Sequence, residues 1–281
     1  MESTNPAFEY LYRSYFGAQP MEIEELEQLP ELLKDMEVFI DVGASLGQYT
    51  YFANKAMSNG RIIAFEADPE RFVELEKNCE KWQAEGSNKI TVINAAVGDS
   101  HDPIQFFVTG SQVSGGFFPV PERSDLYHPI SMQQVTLSDY YEEGVPTFIK
   151  IDVEGAEFRV IRGAERNIAG GTTHFLLEMA WWGDREEKTT NRELLLFLEA
   201  HRLKIRKLAK RHTSNYLLTP APKGESVRGG YIRVKPLLLS KAIYGQYVPA
   251  SVRKARERAL VKFRRWRAAK ANNGAKVEAA S

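Results

Sequence analysis

Short apolar segments alternate with segments of helical spacing from Val38 onward, and this alternation restricts the fold more than any other feature. Strands are predicted over 38–42, 61–67 and 89–97, with helices over 48–57 and 69–82 between them. Strands joined through a helix lie parallel in one sheet, and ligands bind beyond the carboxyl ends of such strands. The chain is therefore predicted to be α/β, with functional side chains at its strand ends.

The same pattern resumes after a long interruption. Its predicted strands are 147–153 and 174–180, and its predicted helices are 156–168 and 191–202. The segments 203–209 and 214–220 close the domain. The interruption contains two short strands, 103–109 and 131–137. Between them, a segment rich in Gly, Pro and Ser (110–129) is predicted to be either a functional lid or a disordered insertion.

Length and composition indicate a soluble globular protein of one large domain with two appendages. The predicted parts are an N-terminal helical cover (1–35), the main domain (36–220) and a basic helical C-terminal extension (221–281). Cys79 is the one cysteine, which excludes disulfide scaffolds, zinc ribbons and iron–sulfur clusters. No segment approaches the ~20 uninterrupted apolar residues that span a bilayer, and no secretory signal is recognisable. We expect a cytoplasmic protein.

A glycine-containing turn follows the first strand and opens a helix. It reads DVGASLG over 41–47, in which Gly43, Ala44 and Gly47 can approach a nucleotide closely. The spacing differs from the G-x-G-x-x-G of dinucleotide sites. Asp41 would repel a pyrophosphate but suits an ammonium group, such as that of S-adenosylmethionine. The turn therefore favours S-adenosylmethionine over NAD.

The next two strand ends supply further candidate cofactor contacts. Glu66 and Ala67 end the second strand, where a carboxylate can accept both ribose hydroxyls. Asn94 and Ala96 end the third strand, where we expect them to flank the adenine. The alternative is that Asp41 and Glu66 merely cap helices and that the third strand ends without a ligand.

The fourth strand of the alternation ends in KIDVEGAE (150–157), beside the predicted crevice. At this point the chain resembles the FkbM-type family of S-adenosylmethionine-dependent O-methyltransferases. The resemblance covers roughly residues 35–220 and rests on six ordered segments: DVGASLGQY, IIAFEADP, INAAVGD, VTLSDY, FIKIDVEGAEFRVIRGA and FLLE. It implies a Rossmann-like, seven-stranded class I methyltransferase sheet with helices on both faces. The implied cofactor contacts are Asp41, Gly43, Gly47, Glu66 and Ala96.

Methyl transfer to a hydroxyl needs in-line positioning and removal of a proton. Asp152 is our first choice for the base, and it also lies at the cofactor crevice. Glu154 is the second, although a carboxylate before Gly155 is equally explained as a cap of the following helix. Glu178 ends the fifth strand, where it can hold the acceptor hydroxyl, and His128 of the lid segment is a further candidate base.

Other polar and aromatic residues near these strand ends are weaker candidates. Glu157 is equally explained as a helix cap, and His174 begins its strand at the end far from the crevice. Trp181 and Trp182 suit a sugar ring, or a hydrophobic cover of the sheet edge. A divalent metal would find oxygen ligands in Asp152, Glu154 and Glu178, but the sequence does not establish one.

The acceptor implied by the family resemblance is a hydroxyl on a sugar of a polysaccharide or glycolipid. An alternative acceptor is a hydroxyl of a polyketide, a peptide or another small metabolite. In a different functional class, the chain would be a catalytically silent module that recruits a partner through its basic tail. The presence of carboxylates at Asp41, Glu66 and Asp152 argues against a silent module, because an abandoned site need not keep them at these positions.

The charge of the chain is divided unevenly along its length. Basic and acidic residues balance at 37 each, yet residues 201–281 contain 21 Lys+Arg and 3 Asp+Glu. Within 251–270, nine basic residues are interspersed with apolar ones such as Phe263 and Trp266. Such a segment can bind an anionic membrane surface, a polyanion or a partner, or it can be a solvated helix. Of these, the interpretation tested below is peripheral attachment at the inner face of a membrane. No nucleic-acid partner is expected, and no oligomeric state is indicated.

Deletion of residues 236–281 should abolish sedimentation with anionic vesicles, because it removes the basic segment. Affinity for S-adenosylhomocysteine should be unchanged. Co-sedimentation at low salt with phosphatidylserine-containing vesicles measures the effect, and phosphatidylcholine vesicles are the control. A full-length protein that stays in the supernatant with both would contradict the membrane interpretation.

Overall fold

The computed structural model describes residues 22–108, 127–153, 155–179, 191–208, 215–227 and 229–231. Its helices are α1 (Ile23–Leu26), α2 (Leu29–Leu33), α3 (Gln48–Ala56), α4 (Pro69–Ala84), α5 (Glu157–Arg162), α6 (Glu165–Gly170) and α7 (Asn191–Ala200). Its strands are β1 (Val38–Val42), β2 (Arg61–Phe65), β3 (Lys89–Ile93), β4 (Ala96–Gly98), β5 (Ile104–Val108), β6 (His128–Met132), β7 (Gln134–Thr136), β8 (Thr147–Ile151), β9 (Thr173–Glu178), β10 (Leu203–Lys207) and β11 (Asn215–Pro220).

Seven strands form the main sheet, in the order β3-β2-β1-β8-β9-β11-β10. The pairings from β3 to β9 are parallel, whereas β11 runs antiparallel to both of its neighbours. The predicted α/β class with a mostly parallel sheet is confirmed. The direction of strand order reverses between β1 and β8, so a ligand crevice is expected at the carboxyl ends of these two strands.

Both faces of the sheet are covered by apolar clusters. Along β1, Ile40 and Val42 pack in a cluster with α5, α6 and α7, whereas Phe39 packs in a second cluster with α1 to α4. Because successive strand residues point to opposite faces, Asp41 shares the face of Phe39. Its register partner in β8 is Lys150, which therefore lies on the same face. Two charged side chains are thus placed between the sheet and α3.

Two elements differ from the sequence-based expectation. The predicted strand 131–137 is two strands, because β6 pairs with β5 whereas β7 pairs with β4. The predicted helix 156–168 divides at Gly163, whose carbonyl accepts hydrogen bonds from the N–H and hydroxyl of Ser138. Pro30 lies in the first turn of α2, where a backbone N–H would have no partner within the helix.

Parts of the sequence-based interpretation lie outside the described residues. These are most of the N-terminal cover, most of the lid, Glu154, Trp181, Trp182 and the basic segment 251–270. Among the residues that are described, no helix is long and apolar enough to cross a membrane. The described start of the C-terminal extension packs on the main sheet, where the Tyr231 hydroxyl donates to the Leu203 carbonyl at 2.6 Å.

Gly163→Ala should lower the free energy of unfolding by ~2 kcal/mol or more. A Cβ at this position would lie 1.9 Å from the carbonyl oxygen of Gly98, so backbone must shift. Gly229→Ala is the matched control, since a Cβ there meets open space among the described residues. Chemical denaturation of both variants measures the difference, and equal stabilities would contradict this packing of the α5–α6 junction.

Candidate active site

A cavity of about 260 Å³ lies at the carboxyl ends of β1, β2 and β8. Its wall also includes the turn after β1, the start of α3 and Phe106 of β5. Most of the predicted cofactor residues line this cavity: Asp41, Gly43, Ala44, Glu66, Ala67, Ala96 and Asp152. The structure therefore brings residues from three distant parts of the sequence to one crevice.

Glu66 is held rigidly at the end of β2. One carboxylate oxygen accepts the Ser45 N–H at 2.7 Å, and the other accepts the Asp68 N–H at 2.8 Å. The side chain is 7% exposed, and burial raises the pKa of Glu66 against these hydrogen bonds. Each oxygen keeps a further acceptor site. Glu66 can therefore present both oxygens to a ligand in the cavity.

Asp41 both caps α3 and faces the cavity. Its Oδ2 accepts the Thr50 N–H at 2.9 Å and the Thr50 hydroxyl at 2.7 Å. No described residue donates to Oδ1. Burial raises the pKa of Asp41 to about 6, although the Thr50 hydrogen bonds and the charge of Lys150 oppose the shift. Helix capping and ligand binding are thus compatible at this residue, because they use different oxygens.

The two glycines of the turn serve packing as well as turning. Both have positive φ, at 77° for Gly43 and 92° for Gly47. A Cβ on Gly43 would lie 1.9 Å from the carbonyl oxygen of Asp152, so this glycine lets the β1 turn approach the end of β8. A Cβ on Gly47 would lie within 3 Å of Leu75 and Trp82 of α4. Gly47 lies behind the cavity wall, against α4.

Asn94 also supports the cavity from behind. Its side-chain amide donates to the Glu66 carbonyl at 2.8 Å and to the Ala67 carbonyl at 3.2 Å. The neighbouring Ala95 and Ala96, not Asn94, line the cavity. Asn94 therefore holds the end of β2 that carries Glu66.

Asp152, Glu178 and Lys150 form a charged cluster at the ends of β8 and β9. The Lys150 ammonium is 3.4 Å from Asp152 Oδ2, and the Lys150 side chain is 1% exposed. Burial, together with the Asp152 charge and a hydrogen bond to Asp152, raises the pKa of Glu178 to about 9. The Glu178 carboxyl therefore keeps its proton to a higher pH than an exposed glutamate does. Asp152 is about one-third exposed, so it is accessible from the cavity.

Three other candidate residues lie elsewhere. Glu157 accepts the Gly155 N–H at 2.9 Å and is buried at the start of α5, as expected of a cap. His174 pairs in register with Phe148, near the amino end of β9. His128 is exposed in β6, paired with Val108, and is not part of the cavity wall.

The predicted metal ligands do not form a recognisable site among the described residues. No group of three His, Cys, Asp or Glu in that part of the chain has the arrangement of a metal site. The Lys150 ammonium lies beside Asp152 and would repel a cation bound to Asp152 and Glu178. Glu154, the third predicted ligand, lies outside the described residues.

Several cavity residues were not predicted from the sequence. Ser45 and Arg71 contact each other at 2.5 Å beside Glu66, and Phe106 reaches the cavity from the small β5–β6 sheet. Glu22 and Tyr49 line the cavity beside Lys150. The left-handed φ of 52° at Ser45 has no signature in the sequence, because serine is not selected for that conformation.

The family described as "Methyltransferase FkbM domain" matches residues 41–205, more than half of the 281-residue chain. The chain belongs to the FkbM methyltransferase family. The matched region begins at Asp41 and contains the strand ends that form the cavity. The predicted family and the class I methyltransferase fold are confirmed, and this FkbM protein is an S-adenosylmethionine-dependent methyltransferase.

The solved structures that this FkbM protein resembles are remote in sequence. S-adenosylhomocysteine-bound PaMTH1 of Podospora anserina is 8% identical, with a TM-score of 0.47, over 76% of this chain and 86% of the other. An S-adenosylmethionine-dependent O-methyltransferase of Thermotoga maritima is 13% identical, with a TM-score of 0.42, and the match covers 76% of this chain and 72% of the other. A precorrin-6y C5,15-methyltransferase of Geobacter metallireducens is 16% identical, with a TM-score of 0.39, and the match covers 71% of this chain and 88% of the other. No curated protein matches the chain.

The residues of the cavity fit S-adenosylmethionine. Glu66 would hold the two ribose hydroxyls with its remaining acceptor sites, and Ala96 and Phe106 offer an apolar surface to the adenine. Asp41 Oδ1 would accept from the ammonium group. When bound, S-adenosylmethionine supplies an electrophilic methyl group on a sulfonium.

Affinity for S-adenosylhomocysteine should fall roughly tenfold between pH 7 and pH 5. Asp41, whose pKa is about 6, gains a proton over this range and loses the charge that attracts the ammonium. Calorimetry across the pH range measures the slope. Asp41→Asn is the control and should bind weakly with a flatter profile. Identical slopes in the two proteins would show that Asp41 does not hold the ammonium.

Proposed function

We propose that this FkbM protein methylates a hydroxyl oxygen, on a sugar of a polysaccharide or glycolipid. The single observation that carries the proposal is the Asp152–Glu178 pair beside Lys150 at the edge of the cofactor cavity. A hydroxyl becomes a good nucleophile when a base removes its proton. The cluster supplies such a base next to the place where the methyl group is transferred.

The three residues of the cluster have separate roles in this proposal. Asp152 accepts the hydroxyl proton as the oxygen is methylated. Glu178 donates a hydrogen bond to Asp152, which orients the base and keeps a second negative charge out of the site. Burial alone would lower the pKa of Lys150, but the surrounding carboxylates raise it, so Lys150 stays charged beside Asp152.

A sugar acceptor is supported by the family resemblance and by the aromatic residues predicted to follow β9. Trp181 and Trp182 would stack on a sugar ring, and both lie outside the described residues. The basic segment 251–270 would hold the protein at an anionic membrane, where lipid-linked glycans are found. In this proposal, the extension holds the protein at the membrane and the catalytic domain methylates a glycolipid there.

Asp152→Asn should reduce methyl transfer by about a hundredfold or more, since it removes the base, yet bind S-adenosylhomocysteine normally. Glu178→Gln should keep substantial activity, because a neutral amide also donates to Asp152. The wild-type rate should fall above about pH 9, where Glu178 loses its proton, whereas Glu178→Gln should lack this decrease.

Mass spectrometry of candidate glycans after incubation with isotopically labelled methyl donor measures these rates and identifies the acceptor. The label should appear as a methyl ether on a sugar. Label on nitrogen, carbon or a carboxylate instead would overturn O-methylation of a sugar. Full activity of Asp152→Asn would remove Asp152 as the base.

A further inference from the structure

A second cavity lies on the main sheet and shares no lining residue with the cofactor cavity. It is a groove of about 260 Å³ at the outer pair of strands, β10 and β11. The first described residues of the C-terminal extension form its rim. The residues that line the groove are Lys204, Ile205, Arg206, Leu217, Thr219, Glu225, Ser226, Val227 and Gly230. The proposed methyl transfer uses none of them, so the groove needs its own explanation.

One face of the β10–β11 pair forms the floor of the groove. Lys204 pairs in register with Thr219, and Arg206 pairs with Leu217. Because alternate residues of a strand point to the same face, these four side chains project from the sheet together. The floor therefore presents two cationic groups and a hydroxyl around one apolar side chain.

The rim is held in place by contacts with the edge of the sheet. The Arg202 guanidinium donates to the Pro222 carbonyl at 2.9 Å and to the Glu225 carbonyl at 3.0 Å. Gly230 lies so close to β10 that a Cβ there would be 2.7 Å from the Ile205 carbonyl oxygen. The wall of the groove is therefore fixed by main-chain contacts.

Arg206 is a lining cation with no opposite charge beside it among the described residues. The Lys204 ammonium is 2.8 Å from a Glu225 carboxylate oxygen, so these two charges offset each other. No described residue forms a hydrogen bond with the Arg206 guanidinium or with the hydroxyls of Thr219 and Ser226. The groove thus offers a guanidinium and two hydroxyls to a ligand.

These groups favour an anion with several oxygens. A guanidinium binds two oxygens of a phosphate group in parallel, and hydroxyls can donate to the remaining ones. A carboxylate has two oxygens in all, so it would leave the hydroxyls of Thr219 and Ser226 without acceptors. A phosphomonoester also carries a charge of about −1.5 to −2 at pH 7, which strengthens its attraction to Arg206.

The position of the groove along the chain favours a phosphate at a membrane surface. Its rim belongs to the C-terminal extension, which continues in sequence to the basic segment 251–270. Residues 201–281 contain 21 Lys+Arg and 3 Asp+Glu, so this part of the chain attracts anionic surfaces. A headgroup site at the start of the extension and a basic segment further along it would serve the same attachment.

We propose that this groove binds the phosphate group of an anionic lipid, with Arg206 as the main contact and the hydroxyls of Thr219 and Ser226 as further donors. The groove recognises the headgroup, whereas the basic segment 251–270 is expected to respond to surface charge alone. This site is independent of the methyl acceptor and of the proposed O-methylation.

Co-sedimentation of the full-length protein with two kinds of vesicle tests the proposal. The vesicles are matched in surface charge, and they contain either phosphatidic acid, a phosphomonoester, or phosphatidylserine, a phosphodiester. The wild type should bind the phosphatidic acid vesicles about tenfold more tightly. Arg206→Gln should bind both kinds equally. Arg206→Lys should keep only part of the preference, because an ammonium does not bind two oxygens in parallel.

Lys207→Gln is the matched control, since it removes one positive charge from the same strand. Lys207 is the register partner of Tyr216, on the opposite face of the sheet, so this variant should keep the preference. Both glutamine variants should bind S-adenosylhomocysteine as the wild type does. The absence of a preference in the wild type, or equal losses in the two glutamine variants, would overturn the proposal. Arg206-dependent binding of inorganic phosphate in calorimetry, without a vesicle preference, would overturn the lipid source and assign the groove to a free phosphate.

Discussion

The buried ammonium of Lys150 is the charge around which the site is organised. It lies within β8 on the face that packs against α3, and a buried cation is stable only when opposite charges surround it. Asp41, Asp152, Glu178 and Glu22 supply these charges from four separate places in the chain. Asp41 and Asp152 are also the residues proposed to serve the cofactor and the acceptor. The charge of one lysine thus accounts for the gathering of these carboxylates at the cavity.

Much of the fold was predictable because hydrophobic periodicity reports local geometry. VFIDV and TFIKI are continuously buried strands, and both were predicted with correct starting residues. Asp68 is the N-cap of α4, and its carboxylate accepts the Glu70 N–H at 2.9 Å. The division of the predicted strand 131–137 was missed because β6 and β7 pair with different strands. Strand pairing depends on residues far away in the sequence, so local periodicity does not predict it.

The predicted positions of the candidate residues agree best with the structure where strand ends locate the side chains. Asp41, Glu66 and Asp152 follow or end parallel strands, so the topology alone brings them to one crevice. Gly47 and Asn94 occupy the same strand ends but face neighbouring elements, which periodicity cannot distinguish. Tyr49 and Glu22 were missed for another reason. Glu22 reaches the cavity because Asn215, 193 positions later in the chain, binds its carboxylate.

The close approach of Gly43 to Asp152 has a mechanical consequence. The main chain that cradles the cofactor and the main chain that carries the proposed base are in direct contact, with no side chain between them. The Asp152 N–H also donates to the Val42 carbonyl at 3.0 Å, which extends the β1–β8 pairing to this point. The spacing between methyl donor and base is therefore set by backbone packing. Side chains around the acceptor can vary, and new acceptors can be accommodated, without altering that spacing.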